Sequence, residues 1–388
     1  MLGPQPIGPS RVRLRPPRID DFAYWRRIRL RDRTLIEPFW VSSELDWSAR
    51  HTEKRWVREC LERWTQARAR RELAMVIEVD GRFAGQCTLA AIDADSGQAE
   101  LGVWVDAKES HRGIGVLAVA MLLDFAFGQL GLARVTAPIS PDNRRAARSA
   151  ELLGLVREAV MAEYFDAGGR RADHELWAVV RADVPADGYV RTWLARWDSR
   201  TAAPESAEPA GAQPVSRVVV AHVALRYAAG TARRALAGLR GPHRVTLSDP
   251  AWPGLTVHSR LRESLLAWRG IRSRRGLVLT VSADGEFVGE ARLFGLDMFD
   301  RNAQLHLRWG PTAPEPAATC ATILVLHFAF DRLGLYRIAV AVPPDDQWST
   351  LPAHAGLTFE GTMRAYRGPQ GDREDHQLWA VTAPTRHP

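Results

Sequence analysis

The clearest chemistry in the sequence sits in one short run, Ser110-His111-Arg112-Gly113-Ile114-Gly115. An apolar stretch, Leu101–Val105, precedes it and reads as a buried strand; Asp106–Arg112 reads as a polar turn. From Gly113 on, Val116, Val119, Leu122, Leu123 and Phe127 recur at helical spacing. A glycine turn between strand and helix leaves backbone N–H groups unpaired at the positive end of the helix, which makes an anion site suited to a pyrophosphate. Gly113 and Gly115 have no Cβ, so phosphate oxygens can approach the backbone closely. His111 and Arg112 add donors, and a guanidinium pairs well with phosphate. The run lacks the Gly-Lys-Ser/Thr ending of a Walker loop and the spacing of a dinucleotide fingerprint.

The surrounding elements must position that turn. Val12–Arg15 reads as a first strand, and Asp20-Asp21 lead into a helix with Phe22, Trp25, Ile28 and Arg29 at helical spacing. Thr34–Trp40 reads as an extended, proline-broken loop, and Thr52–Gln66 as a helix with Trp56, Cys60 and Trp64 on one stripe. Ala74–Val79 and Phe83–Ala91 are strands joined by Asp80-Gly81, a hairpin signal. Arg134–Ile139 is the next strand, then a helix through Leu153 that Gly154 ends. Val160–Phe165 and Glu175–Val180 flank a turn at Ala167–Gly169. Tyr189–Trp197 reads as a docking helix and Thr201–Pro214 as an Ala/Pro-rich linker.

The pattern then repeats. DGRFAG from Asp80 returns as DGEFVG from Asp284, FAFGQLGLARV from Phe125 as FAFDRLGLYRI from Phe328, and DHELWAV from Asp173 as DHQLWAV from Asp375. Ordered matches this far apart mean tandem globular domains rather than a solenoid. The 388 residues allow two domains. The charge of +7 permits acidic or phosphorylated partners, but only Lys54 and Lys108 of the 52 basic residues are lysine, and no basic block marks a nucleic-acid patch. Cys60, Cys87 and Cys320 form neither a metal spacing nor a disulfide framework. With no signal segment and no apolar run long enough to span a bilayer, a cytoplasmic, unanchored protein is expected.

The early VRLRPP strand, EPFW, GQCTL, the Glu100–Phe127 stretch, LGLARV, the SPDN turn, LLGLVREAVMAEYF and the closing Asp173-His174 together resemble the GNAT (Gcn5-related) N-acetyltransferases, most of all ribosomal-protein-alanine acetyltransferases of the RimJ/RimL type. The resemblance implies an α+β, layered α/β/α architecture: two tandem acyl-CoA N-acyltransferase folds, each a mixed, splayed sheet flanked by helices. Residues 1–184 would be the catalytic domain, 185–218 the docking helix and linker, and 219–388 a degenerate copy. The copy has PTAPEPAAT in place of the glycine turn, Ala365 for Glu163 and Asp346 for Asn143. An internal pseudo-dimer of the two halves is expected.

Acetyl-CoA is the implied co-substrate, with no metal and no membrane. Trp104 or Val105 would polarise the acetyl carbonyl through a backbone N–H. His111, Arg112, Gly113, Ile114, Gly115 and Val116 would hold the pyrophosphate, and Asn143 the pantetheine arm. Glu163 is the first candidate base, with Glu100 as the alternative; Tyr164 and Ser149 are candidate acids. The sequence departs from the family at Ser110, where Gln or Arg is common, and at Ala146, where Ser is common. The implied acceptor is a protein N-terminal α-amine. A small-molecule amine such as an aminoglycoside or metabolite, and a non-catalytic coenzyme-A-binding regulatory module, are the alternatives.

Overall fold

The computed structural model describes residues 1–167, 170–197, 215–237, 245–259, 277–297, 300–368 and 371–383. The turn after Ala167 and the Thr201–Pro214 linker lie outside the described residues. The chain forms two compact units: residues 1–157, 167–170 and 175–229, and residues 158–166, 171–174 and 230–388. The division falls inside two strands, and both stretches bond to later residues: Glu163 to Tyr336, Ala162 O to Arg337 and Arg171 to Asn302.

The first unit begins with β1 (Leu2–Ile7), a strand absent from the sequence reading, antiparallel to β2 (Ser10–Arg15). Pro4 and Pro6 fit there because β1 is an edge strand, paired on one side only. After α1 (Phe22–Arg31), the stretch expected to be extended coils into α2 (Arg33–Ile36) and a 3-10 turn, Glu37–Phe39. Short α3 (Trp47–Arg50) leads to α4 (Glu53–Arg68), which Thr52 caps by accepting the Arg55 N–H. Helix α4 buries Trp56, Val57 and Cys60.

Strands β3 (Leu73–Val79) and β4 (Arg82–Asp93) pair across Asp80-Gly81, both at positive φ, the conformation a tight hairpin needs. β5 (Gln98–Val105) pairs antiparallel to β4 and feeds α5 (Ile114–Gly128), which crosses to the parallel strand β6 (Arg134–Ile139). Helix α5 is apolar nearly all round and buries Ile114, Leu117, Leu122 and Leu123, since it lies between the sheet and a further helix. Next come α6 (Arg144–Leu152), β7 (Val156–Ala167) and β8 (Arg170–Val180). The further helix is α7 (Gly188–Trp197). The Asp124 carboxylate of α5 takes the Tyr189 and Val190 N–H groups at its start, at 2.7 and 3.1 Å. The strand order is β1-β2-β3-β4-β5-β6-β8. A helix the sequence reading did not single out, α8 (Arg217–Ala237), places Val223 against Val57 of α4.

The second unit runs β9 (Thr246–Asp249), β10 (Trp252–Ser259), β11 (Leu277–Ala283), β12 (Glu286–Asp297), β13 (Asn302–Trp309), α9 (Glu315–Asp331), β14 (Arg337–Val342), α10 (Leu351–His354), β15 (Thr358–Tyr366) and β16 (Glu374–Thr382). Its strand order is β9-β10-β11-β12-β13-β14-β16-β15, with β13 and β14 parallel as β5 and β6 are. The repeated Asp-His pairs have one structural job. Asp173 Oδ1 accepts the Glu163 N–H at 2.9 Å, and Asp375 Oδ1 accepts the Ala365 N–H at 3.0 Å. Glu163 and Ala365 both stand at positive φ, +46° and +45°. Each aspartate thus satisfies an N–H turned out of its strand.

Candidate active site

Parallel pairing of β5 with β6 runs from Gln98 to Glu100 and then stops, so Leu101–Val105 continues without β6 beside it. On its other side β5 stays in register with β4 out to Val105, opposite Gly85. Asp106 N–H bonds back to Ala84 O at 2.7 Å. Alternate residues of an antiparallel ladder turn their N–H groups the opposite way, so Val105 and Val103 direct theirs into the splay and Trp104 faces β4. Gly85 allows this fit: it stands at φ +152°, and a Cβ there would lie 2.4 Å from Trp104 O.

The turn after β5 is fastened to α1. Asp32 Oδ2 accepts the Ala107 N–H at 2.8 Å, Asp106 Oδ1 accepts the Lys108 N–H at 2.7 Å, and the Arg31 guanidinium bridges both carboxylates. Its bonds to Asp32 and then Asp106 raise the Arg31 pKa above its ordinary value. Beyond this anchor, His111 and Gly113 adopt left-handed φ of +66° and +70°. In α5 the first N–H to bond is that of Leu117, to Gly113 O. Those of Gly113, Ile114, Gly115 and Val116 find no acceptor among the described residues. They form a cluster of donors at a helix N-terminus. A Cβ on Gly115 would come within 3.1 Å of Val105 Cγ2, so the glycine keeps the mouth of the splay open.

Side chains of the turn behave differently from its backbone. Arg112 is already engaged by Glu109 and, at 2.7 Å, by Ser10 Oγ, so it braces the turn against β2. His111 is exposed. Asn143 caps α6, its Oδ1 accepting the Ala146 N–H at 3.2 Å, and Ser149 donates back to Arg145 O at 2.9 Å. Glu100 shares a face of β5 with Gly102 and Trp104, opposite the face that carries Val105 toward α5. Glu163 and Tyr164 belong to the second unit. There the Tyr336 hydroxyl donates to Glu163 Oε2 at 2.7 Å, and Tyr164 O accepts from Asn302 at 2.7 Å. The structure thus gathers Glu100, Trp104, Val105 and the 111–116 turn around one splay and gives Glu163 a partner of its own.

An aromatic wall on the Trp104 face escaped the sequence reading as a site. Arg29, on the last turn of α1, lies between the Trp40 and Trp104 rings. The signal was present: an arginine on the Trp25–Ile28 stripe. The Trp104 indole N–H donates to Gln86 Oε1 at 3.1 Å. Burial pushes the Cys87 thiol up to about 12, which leaves it protonated. No cluster of His, Cys, Asp or Glu among the described residues could hold a metal, and no described helix is long and apolar enough to cross a membrane.

Residues 11–156 match the family model described as an acetyltransferase (GNAT) domain. Those residues of the first unit form a GNAT acetyltransferase domain. Among curated relatives, the uncharacterized N-acetyltransferase p20 of Bacillus licheniformis is 24% identical over 110 residues, 28% of this chain and 62% of that protein. The probable N-acetyltransferase YjcK of Bacillus subtilis (strain 168) is 30% identical over 105 residues, 27% of this chain and 58% of that protein. The matches therefore span less than two thirds of either relative's length. Among solved structures, Mycobacterium smegmatis RimJ in complex with CoA-disulfide is 32% identical, with a TM-score of 0.49, covering 50% of this chain and 93% of that one. In this chain the matched GNAT residues contain the β5 splay, the glycine turn and α5.

Proposed function

We propose that the first unit transfers an acetyl group from acetyl-CoA to a primary amine, and that the acceptor is a protein N-terminal α-amine. The observation that carries the reading is the cluster of N–H groups at the start of α5, set at the mouth of a splay into which Val105 directs its own N–H. The backbone N–H groups of residues 113–116 fit a pyrophosphate, and the missing Cβ of Gly115 leaves room for it. Acetyl-CoA supplies the activated acyl group. Val105 N–H polarises the acyl carbonyl, which is oxyanion-type stabilisation by a fixed donor. Arg112 acts indirectly, holding the turn in place through Ser10 and Glu109.

An α-amino group titrates near about 7.7–8, so a modest base suffices to present it neutral. Glu100 serves as that base. It lies at the end of the β5–β6 pairing, on the face away from α5. Glu163, which accepts from the Tyr336 hydroxyl in the second unit, is the rival candidate. Coenzyme A release in the presence of acetyl-CoA, measured against a panel of N-terminal peptides and a panel of polyamines and aminoglycosides, tests the reading. Turnover on peptides with little on the polycations is expected. Turnover confined to the polycations would overturn the acceptor assignment, and no turnover on either panel would overturn the activity.

A further inference from the structure

Arg29 is 1% exposed, yet its Nε and Nη1 atoms, shut off from solvent, have no hydrogen-bond partner among the described residues. Burying a guanidinium without a partner is costly, and two other buried arginines have carboxylate partners. Arg15 is held by Asp21 and Glu78, and Arg337 by Glu360. At Arg29 the compensation is aromatic: the guanidinium carbon lies 3.6 Å from the Trp40 ring centre and 4.1 Å from that of Trp104. Stacking satisfies the two faces of the ion. The N–H donors lie in its plane and point out at the rim, where a planar fork suits a carboxylate.

The charges around the stack have the same bias. Arg50 and Arg63 act on Arg29 with like sign, and Glu59 is the opposing charge. His51, on the Trp25 and Trp47 rings, is held neutral: burial first, then Arg29, Arg50 and Arg26, lower its pKa to about 4. The place is also informative. Trp104 precedes Val105 and shares its strand face with Gly102, which is exposed and faces open space. The stack therefore lines the side of β5 away from α5, the side left for the acceptor.

We propose that the Trp40–Arg29–Trp104 stack receives an anionic group of the acceptor, a carboxylate within a residue or two of the amine that is acetylated, so that the preferred acceptors are acidic N-terminal peptides. This rests on the acetyltransferase reading and narrows its substrate. Because Arg29 is so nearly enclosed, the half-buried Trp40 ring must shift to admit the carboxylate.

The test uses the full chain, acetyl-CoA and two matched pairs of acceptors: hexapeptides differing only by Glu or Gln at the second position, and free glutamate against glutamine. The acidic peptide should be favoured by about tenfold or more, chiefly in KM. Arg29→Met keeps a packed stem between the rings without the charge; it should equalise the pair by raising the KM of the acidic peptide. Equal rates for the two peptides in the unaltered chain would overturn the proposal, and that comparison needs no variant. A preference that survives Arg29→Met would overturn it too. Failure of both peptides with turnover of glutamate over glutamine would uphold the receptor and sink the peptide assignment. Failure of all four would sink both.

Discussion

The helix after the splayed strand begins differently in the two units, and the contrast shows what an acyl-donor site requires beyond the fold. In the first unit Gly113, at φ +70°, caps α5 and leaves four successive N–H groups facing outward. In the second unit Pro314 caps α9, Pro316 has no N–H to offer, and Glu315 puts a negative charge at the positive helix end, bonded to His354 at 2.8 Å. The strands differ in the same sense. Register places Trp309 opposite Gly289 as Val105 lies opposite Gly85, and Gly310 N–H bonds back to Val288 as Asp106 does to Ala84. Where the first unit has a valine, the second has an indole packed 6.2 Å from that of Trp348, over a fully formed core. Strand order and parallel pairing are alike in both units, while the donors and the space are present in one.

The most damaging way to erase this difference is Val105→Trp, which carries the second unit's indole into the first. Acetyl-CoA binding, measured by calorimetry, should fall below detection while β5 and α5 keep their circular dichroism. Retained binding would show that the splay is not the channel.

Next in size is the choice of base. Glu100→Gln should lower kcat by about 10²–10⁴-fold with acetyl-CoA affinity unchanged, and the residual rate should climb with pH as the amine deprotonates unaided. Glu163→Gln should change kcat by less than about threefold and lower the melting temperature instead, because it disturbs the bond to Tyr336. The opposite pattern of rates would return Glu163 to the mechanism.

A smaller effect is expected from opening the second unit. Trp309→Val should cost about 3 kcal/mol of stability in denaturant unfolding and should create no second acetyl-CoA site, since Pro316 and Glu315 still spoil the helix start. A new site would mean that space alone separates the units.

The smallest expected effect treats the units alike. His51 in the first and His306 in the second both have their pKa lowered from 6.5 to about 4, burial being the main cause. The unfolded chain takes up these protons first, so stability should be complete above pH 6.5 and decline between pH 6.5 and about 4. His51→Gln should flatten that decline without abolishing it, as read from melting temperature against pH. An unchanged slope would show that His51 does not contribute to it.

Local signals made the splayed strand, the glycine turn and α5 legible in the sequence, because an apolar run, two glycines and helical spacing are all read within one stretch. The Asp80-Gly81 hairpin and the Gly154 stop were legible for the same reason. What stayed hidden depends on distant partners. Leu2–Ile7 is too rich in Gly and Pro to read as a strand, and only pairing with β2 makes it one. Arg112 looked free for phosphate until the fold brought Ser10 beside it. The partner of Glu163 comes 173 residues later, at Tyr336, so no motif around Glu163 announces it. Arg29 was visible on a helical stripe, but its enclosure by Trp40 and Trp104 is a tertiary fact.

With donors and space in one unit, the chain should hold a single acyl-donor site, and titrating the full chain with acetyl-CoA in a calorimeter tests that most directly. One site per chain is predicted, and Gly115→Glu should remove it, because bulk and a like charge would displace hydrogen bonds worth about 1.5–3 kcal/mol each. Two sites per chain, or a site that survives Gly115→Glu, would contradict it.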